Sequence, residues 1–372
     1  MNIIHKHVAR EVMVPFFLTF LVITFLVVVG NLLKEIGDRF MSNGLGLLDV
    51  AILISYALPS LMIYTIPIAL LFATLIAFAQ LSNDCEIIAM KSAGIPIMKV
   101  FVPAVAVGMF ATLLLLILGA EVSPRAKRGM KVFIIEKIME KPTLVLNEQA
   151  WTQEVNNMRI FVGDIDHKRM RLKDVDIVIN PDNGPRRNIV AKAGRVFLSE
   201  KKDKVFLELE EGAIHEFDMA EPDTYSTTTF GRFTIPVEVE ALNRNIRRYQ
   251  ALEDLSPKEM TLSQLIRQAG DPAIERQERR NLLRHVGERT AMAFMPLVFV
   301  LVSAPLGIIP HKARRMYGLA VCAGLLLAYY SLLMLGEALA KKGVVNPLLG
   351  MWIPNLFLGI AGIICMARAE RK

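Results

Sequence analysis

Residues 50–80 read VAILISYALPSLMIYTIPIALLFATLIAFAQ, thirty-one positions without one charged side chain. Crossing about 30 Å of hydrocarbon takes roughly 20 apolar residues, so this run is long enough to span a membrane. Five further uncharged runs meet the same length: Val14 to Leu33, Val100 to Ala120, Ala291 to Pro310, Met316 to Gly336 and Gly343 to Ala367. The chain is 53% hydrophobic with a mean hydropathy of +0.41, more apolar than soluble globular chains usually are. Six transmembrane helices are predicted. Barrel strands are excluded because the runs do not alternate, and a lipid-facing helix satisfies its own backbone. Pro59 and Pro67 interrupt the longest run, which predicts a break near Pro59, a helical lead-in over Leu47 to Ala57 and a span from about Leu58 to Gln80.

Cytoplasmic loops retain Lys and Arg, which sets the orientation. Ten fall on one side: Lys6, Arg10, Lys91, Lys99, Lys312, Arg314, Arg315, Arg368, Arg371 and Lys372. Four fall on the other: Lys34, Arg39, Lys341 and Lys342. Both termini are therefore expected in the cytoplasm, and the 170 residues from Glu121 to Thr290 outside it. The net charge of +7 follows from this pattern and calls for no nucleic acid. A cleavable signal peptide is not expected, since the first run is too long for an h-region and no small-residue cleavage site follows it. Cys85, Cys322 and Cys365 all fall in the membrane part, so the outer domain must fold without disulfides.

Within that domain the period changes to strict alternation. Val175, Ile177 and Ile179 share a face, as do Val205, Leu207 and Leu209, and Ile235, Val237 and Val239. Pro181 to Gly184 and Glu200 to Lys204 suit reversals, which predicts a β-sandwich or open roll. Helix returns after Leu255, with Ser256-Pro257 as its expected start, and from about Ala273 a polar helix leads into the fourth span. The segments are 1–120, an N-terminal interfacial helix with spans one to three; 121–275, the β domain; and 276–372, spans four to six.

The chain carries no catalytic signature, and no enzyme is expected. Gly-Lys never occurs, which removes a phosphate-cradling P-loop, and neither HExxH nor GxSxG is present. His5 and His7, two apart on a helix, point to different faces and make a poor metal site. No charge lies inside a span, which disfavours proton coupling, so energy must come from a partner. Glu337 is placed to pair with Lys341, while Arg284 with Glu288 and His285 with Arg289 have the same i, i+4 spacing.

The short connection Leu81 to Pro96 has the pattern of a capped amphipathic helix. Ser82 or Asn83 would cap it, Asp84 and Glu86 would lie in its first turn, Ile87, Met90 and Ala93, or Ile88 with them, would form an apolar stripe, and Gly94 would end it. Such a helix is a knob that another protein can grip, or an interfacial helix lying on the membrane.

With that knob in place the chain resembles the LptF/LptG permeases of lipopolysaccharide export. The layout is similar: three spans, a periplasmic β-jellyroll, three spans. MNIIHKHVARE resembles the family's N-terminal interfacial helix, and Glu86 to Ile95, EIIAMKSAGI, its cytoplasmic coupling motif. His285 to Arg289, Ala304-Pro305-Leu306-Gly307, Tyr329-Tyr330 and Trp352-Ile353-Pro354-Asn355 resemble its last three spans, and the N-terminus leans toward the LptF member.

The resemblance implies an α-helical integral membrane protein with a periplasmic β-jellyroll-like domain between helices 3 and 4. It implies a second LptF/LptG-type permease, an LptB-like ATPase dimer that uses the ATP, LptC alongside, and LptA reached through the periplasmic domain. The chain itself would bind no cofactor. Asp84, Glu86, Ile87, Met90, Ala93 and Gly94 would form the ATPase coupling helix. Basic residues at the outer face suit a phosphorylated head group, with Lys34, Arg39, Arg125, Lys127 and Arg128 as candidates and Lys34 where the family places a basic residue. Two other classes fit the residues: a sensor or assembly protein that binds a periplasmic ligand without transport, and a permease of an ABC-type exporter for another lipid.

Overall fold

The computed structural model describes residues 2–31, 46–140, 151, 158–166, 170–180, 186–198, 205–217, 225–237, 255–308 and 314–371. They form two compact units. The first comprises Met1–Val29, Ile54–Arg128 and Ser256–Lys372; the second comprises Gly30–Leu53 and Gly129–Leu255.

The helices are α1 (Asn2–Asn31), α2 (Leu47–Asn83), α3 (Glu86–Ser92), α4 (Ile97–Ile117), α5 (Ser123–Glu140), α6 (Leu262–Ala269), α7 (Arg276–Ile308), α8 (Arg314–Lys341) and α9 (Pro347–Arg371). Among the described residues six helical stretches are long and apolar enough to cross a membrane, one for each predicted run. A π-helical turn, Leu118–Val122, joins α4 to α5 without a break, and such turns recur at functional sites. The break expected at Pro59 is not there: α2 runs unbroken through Pro59 and Pro67. Each proline removes one hydrogen bond, to the carbonyl four residues earlier, while the turns on either side keep theirs.

In the first unit α7 packs against α4 and α9, and α9 against α8. Buried Asn355 of α9 ties them together, donating to the Ala291 carbonyl at 2.7 Å and accepting from the Tyr329 hydroxyl at 3.2 Å. Packing is uneven among the spans. In the apolar window of α7 67% is buried, against 17% for the span of α8 and 6% for that of α1. Spans with so little cover within one chain face lipid or another subunit.

The second unit holds a five-stranded antiparallel sheet in the order β1 (Met158–Asp166), β2 (Arg171–Ile179), β3 (Arg186–Leu198), β4 (Val205–Phe217), β5 (Tyr225–Val237). The predicted stripes line its inward face: Val175, Ile177, Leu207, Leu209 and Ile235 are buried and Ile179 packs against them. The side chains of Val205 and Val237, Val239, and the reversals at 181–184 and 200–204 lie outside the described residues.

Every strand also carries one residue that its neighbours' registers skip: Gly163, Asp174, Lys192, Glu211 and Gly231. Asp174 and Glu211 there have positive φ, 49° and 50°. Val162 and Ile165 are both buried across this row, as are Leu172 and Val175 in the next strand. The skipped residues lie opposite one another and the register is the same on both sides, so each strand spends one residue on the interruption and the inward face resets in phase.

On the other face Asp176 Oδ1 is buried and makes no hydrogen bond. Burial pushes its carboxyl above the ordinary range, and the field of His215 works against that. A raised folded value contributes stability below the unfolded value of about 3.9 and loses it as pH rises through the folded one. Asp176→Asn should therefore stabilise the fold at pH 7 by no more than about 1 kcal/mol after solvent screening, read as a rise in the thermal midpoint. The gain should vanish at pH 4 and below; a gain independent of pH would exclude the carboxylate as its cause.

Candidate functional site

Two polar clusters stand out in the helical unit, one at each end. At the first, α2 turns into α3 through Asp84 and Cys85. The N-cap position is Cys85, with φ 60°, rather than Ser82 or Asn83, and no side chain caps the helix. Ser82 instead donates to the Ile308 carbonyl at 3.0 Å, satisfying the last carbonyl of α7. Gly94, at φ +76°, ends the helix as its lack of a Cβ allows.

Ile87 is buried, and Met90 packs into the same apolar cluster as Val8, Val12, Phe78 and Ile97. Ile88 is 62% exposed, and Asp84, Ala93 and Gly94 are exposed. The predicted stripe is thus divided: Ile87 and Met90 anchor the helix while Ile88 and Ala93 face away. Glu86 is half-buried, and its Oε2 accepts from Nε2 of His7 of α1 at 2.8 Å. Nothing in the spacing of the chain joins residues 7 and 86. Lys91 Nζ donates to the Ala369 carbonyl of α9 at 3.3 Å.

At the insertion end, from which the chain leaves toward the sheet, the predicted basic residues separate. Arg125 pairs with Glu121 at 2.6 Å. Arg128 donates from Nε to the Glu259 carbonyl at 2.6 Å and from Nη2 to Gln264 Oε1 at 2.7 Å. Lys127 lines a cavity of about 150 Å³ with Ser60, Tyr64, Lys258, His285, Glu288 and Arg289. Two ammonium groups there, Lys127 and Lys258, face one carboxylate, so the cavity favours an additional anion. Lys34 and Arg39 lie outside the described residues.

Local sequence explains how this end is held. Thr261 and Gln264 form a capping box, so α6 starts there and not at Ser256-Pro257, which instead enter a turn. Arg289 donates to the carbonyls of Met260, at 2.5 Å, and Pro257, at 2.8 Å. Glu337 pairs with Lys341 at 2.9 Å as its spacing predicts, and also with Arg284 at 3.1 Å. Arg284 lies 3.8 Å from Glu288. The expected pairing of His285 with Arg289 does not form; His285 Nδ1 is 3.2 Å from Glu288, three residues on, because Arg289 turns to the carbonyls.

Six spans interrupted after the third by an antiparallel β domain, with a short helix anchored in the loop between spans two and three, define a multi-pass membrane protein with one inserted domain. The chain belongs to the lipopolysaccharide export system permease LptF/LptG family, whose model matches residues 6–368. No individual curated protein gives a match. Family and spans together make this an inner-membrane component of lipopolysaccharide transport.

Proposed function

We propose that the chain is one of two permease subunits of an ATP-driven exporter that takes lipopolysaccharide from the inner membrane toward the outer one. Both termini and α3 are cytoplasmic in this reading, and the β domain is periplasmic, in line with the ten-to-four bias of Lys and Arg. A dimeric LptB-like ATPase grips α3, the sparsely buried α1 and α8 face the second permease and the lipid, and LptC and LptA continue the path from the β domain.

The observation that carries the proposal is the construction of α3. Ile87 and Met90 fix it to the bundle, while Asp84 and Ile88 stay outside, so a force on the exposed face reaches the spans through a buried anchor. At the other end Lys127 and Lys258 supply positive charge for a head-group phosphate. Arg128 already serves two acceptors and Arg125 is paired with Glu121, which leaves Lys127 as the best placed of the three.

The test is affinity purification of the tagged protein in detergent, wild type beside Glu86→Lys, probed for ATPase and lipopolysaccharide. Wild type should bring down both. Charge reversal should reduce ATPase recovery at least tenfold, because it breaks the bond to His7 that seats α3 and sets a positive charge where the helix carries a carboxylate, while the elution profile stays that of folded protein. Wild type that brings down neither would remove the transport reading.

A further inference from the structure

A second polar cavity, of about 570 Å³, lies where the first turn of α7 meets the end of α8 and the start of α9, with Glu275, Glu278, Arg280, Arg284, Ala340 and Lys341 in its lining. Its size is that of a small-ligand site. The apolar run of α8 ends at Gly336, about one turn before Ala340 and Lys341, so the cavity opens at the depth of lipid head groups.

Arg280 is held in place on one side of it. Its Nη2 donates to the Ala340 carbonyl at 2.7 Å. Gly343, at φ +83°, follows the end of α8, and a Cβ there would stand 2.9 Å from Arg280 Nη1, so the glycine makes room for the guanidinium. Nε and Nη1 of Arg280 have no hydrogen-bond partner among the described residues. Arg284 already serves Glu337 and Asn281, and Lys341 donates to Glu337 with one of its three N–H groups. Across the cavity Glu275 and Glu278 are exposed, and neither has an ion-pair partner among the described residues. A helix start favours a carboxylate, but two of them three residues apart repel each other.

We propose that this cavity binds the head group of a phosphoethanolamine lipid, with the phosphate on Arg280 and Lys341 and the ammonium between Glu275 and Glu278. The site is separate from the transport reading and does not rest on it. Each charge of the zwitterion meets an opposite one, through charge-assisted hydrogen bonds. A phosphoglycerol head brings no cation and adds negative charge beside two carboxylates. A phosphocholine head has no N–H to donate; such quaternary groups are held by aromatic cages, and no aromatic residue is among those that line this cavity. A multiply phosphorylated saccharolipid is repelled by the same carboxylates, which sets this cavity apart from the one at Lys127, where two ammonium groups face one carboxylate. Further into the spans Leu335 of α8 and Leu349 of α9 are more than half exposed and give acyl chains an apolar surface.

The test is native mass spectrometry of the full chain in detergent, with dioleoyl phosphatidylethanolamine, phosphatidylglycerol, phosphatidylcholine and lipopolysaccharide added in turn. Wild type should retain one phosphatidylethanolamine about tenfold or more tighter than either other phospholipid. The double variant Glu275→Gln, Glu278→Gln, altered only at exposed positions, should keep its thermal midpoint, lose that preference and bind phosphatidylglycerol at least as well, because Arg280 remains. Lack of a preference in wild type, or a preference that survives in the folded double variant, overturns the proposal. Stepwise N-methylation of the lipid amine tests the same contact on wild type alone: affinity should fall with each N–H removed, and equal binding of the whole series overturns the assignment of the ammonium to the carboxylates. Lipopolysaccharide at equal concentration should leave the bound phosphatidylethanolamine in place. Its displacement would make the cavity part of the exported lipid's path and so overturn a separate site.

Discussion

Gly336→Val should abolish the native packing of the last helical pair. A Cβ built on Gly336 of α8 would run into the Gly350 carbonyl oxygen of α9, and one on Gly350 would stand 2.8 Å from the Gly336 oxygen. Both obstacles are backbone, which no rotamer change can relieve, so the helices must part. Overpacking a tight site typically costs about 1–3 kcal/mol and more where backbone has to move. Within a membrane no hydrophobic gain is available to offset it, because lipid is as apolar as the side chains.

Parting α8 from α9 would also draw Glu337, one residue on, away from Arg284. Gly336→Ala already introduces the clash and should lower the folded fraction in a detergent denaturation series; Gly336→Val should leave none. Gly324 on the same helix has nothing within 4 Å of a Cβ. Gly324→Ala should therefore be neutral or stabilising by up to about 1 kcal/mol through helix propensity. Equal effects at the two glycines would show that helix propensity, not the close approach, governs the loss.

Arg289→Gln should release the segment that leads into α6. The guanidinium holds the carbonyls of Pro257 and Met260, and Arg128 holds Glu259 and Gln264 from α5, so four bonds clamp eight residues. A hydrogen bond to a charged donor contributes about 1.5–3 kcal/mol, and loss of both at Arg289 should cost about 3 kcal/mol or more. Glutamine is too short to span the two carbonyls. Amide exchange over residues 257–269 should accelerate at least a hundredfold in Arg289→Gln while the interior of α7 stays protected, following the scale of about 1.4 kcal/mol per tenfold. Adding Arg128→Gln should produce less than the sum of the two single effects, since both residues restrain one segment. Unchanged exchange in the single variant would mean that the apolar contact of Leu265 and Ala269 with Leu282 holds the segment without help.

Much of the helical part could be read from composition because the membrane sets a length scale. An uncharged run of twenty or more residues has one stable solution, and each of the six predicted runs is a helix. The i, i+4 pair of Glu337 with Lys341 was legible for the same reason, as helix geometry fixes that neighbour. Legibility ended where a residue's partner lay on another element. His285 met Glu288 rather than Arg289, because Arg289 had carbonyls of the α6 lead-in within reach. In α3, sequence placed the acidic first residue and the closing glycine, yet it offered no sign of His7, which is 79 positions away.

The sheet divides in the same manner. Alternation in single strands identified the buried stripes, since side-chain period is a local property of extended chain. The row from Gly163 to Gly231 is not local: each strand alone shows one missed beat, and only the registers set the five opposite one another. By itself, then, the sequence determined the number of spans, the inserted β domain and the short helix in the loop, because those depend on length and period. The tertiary structure decided which charges pair with each other, which guanidiniums are held by carbonyls and which span is left loosely packed, because those depend on distances between elements that sequence spacing does not encode.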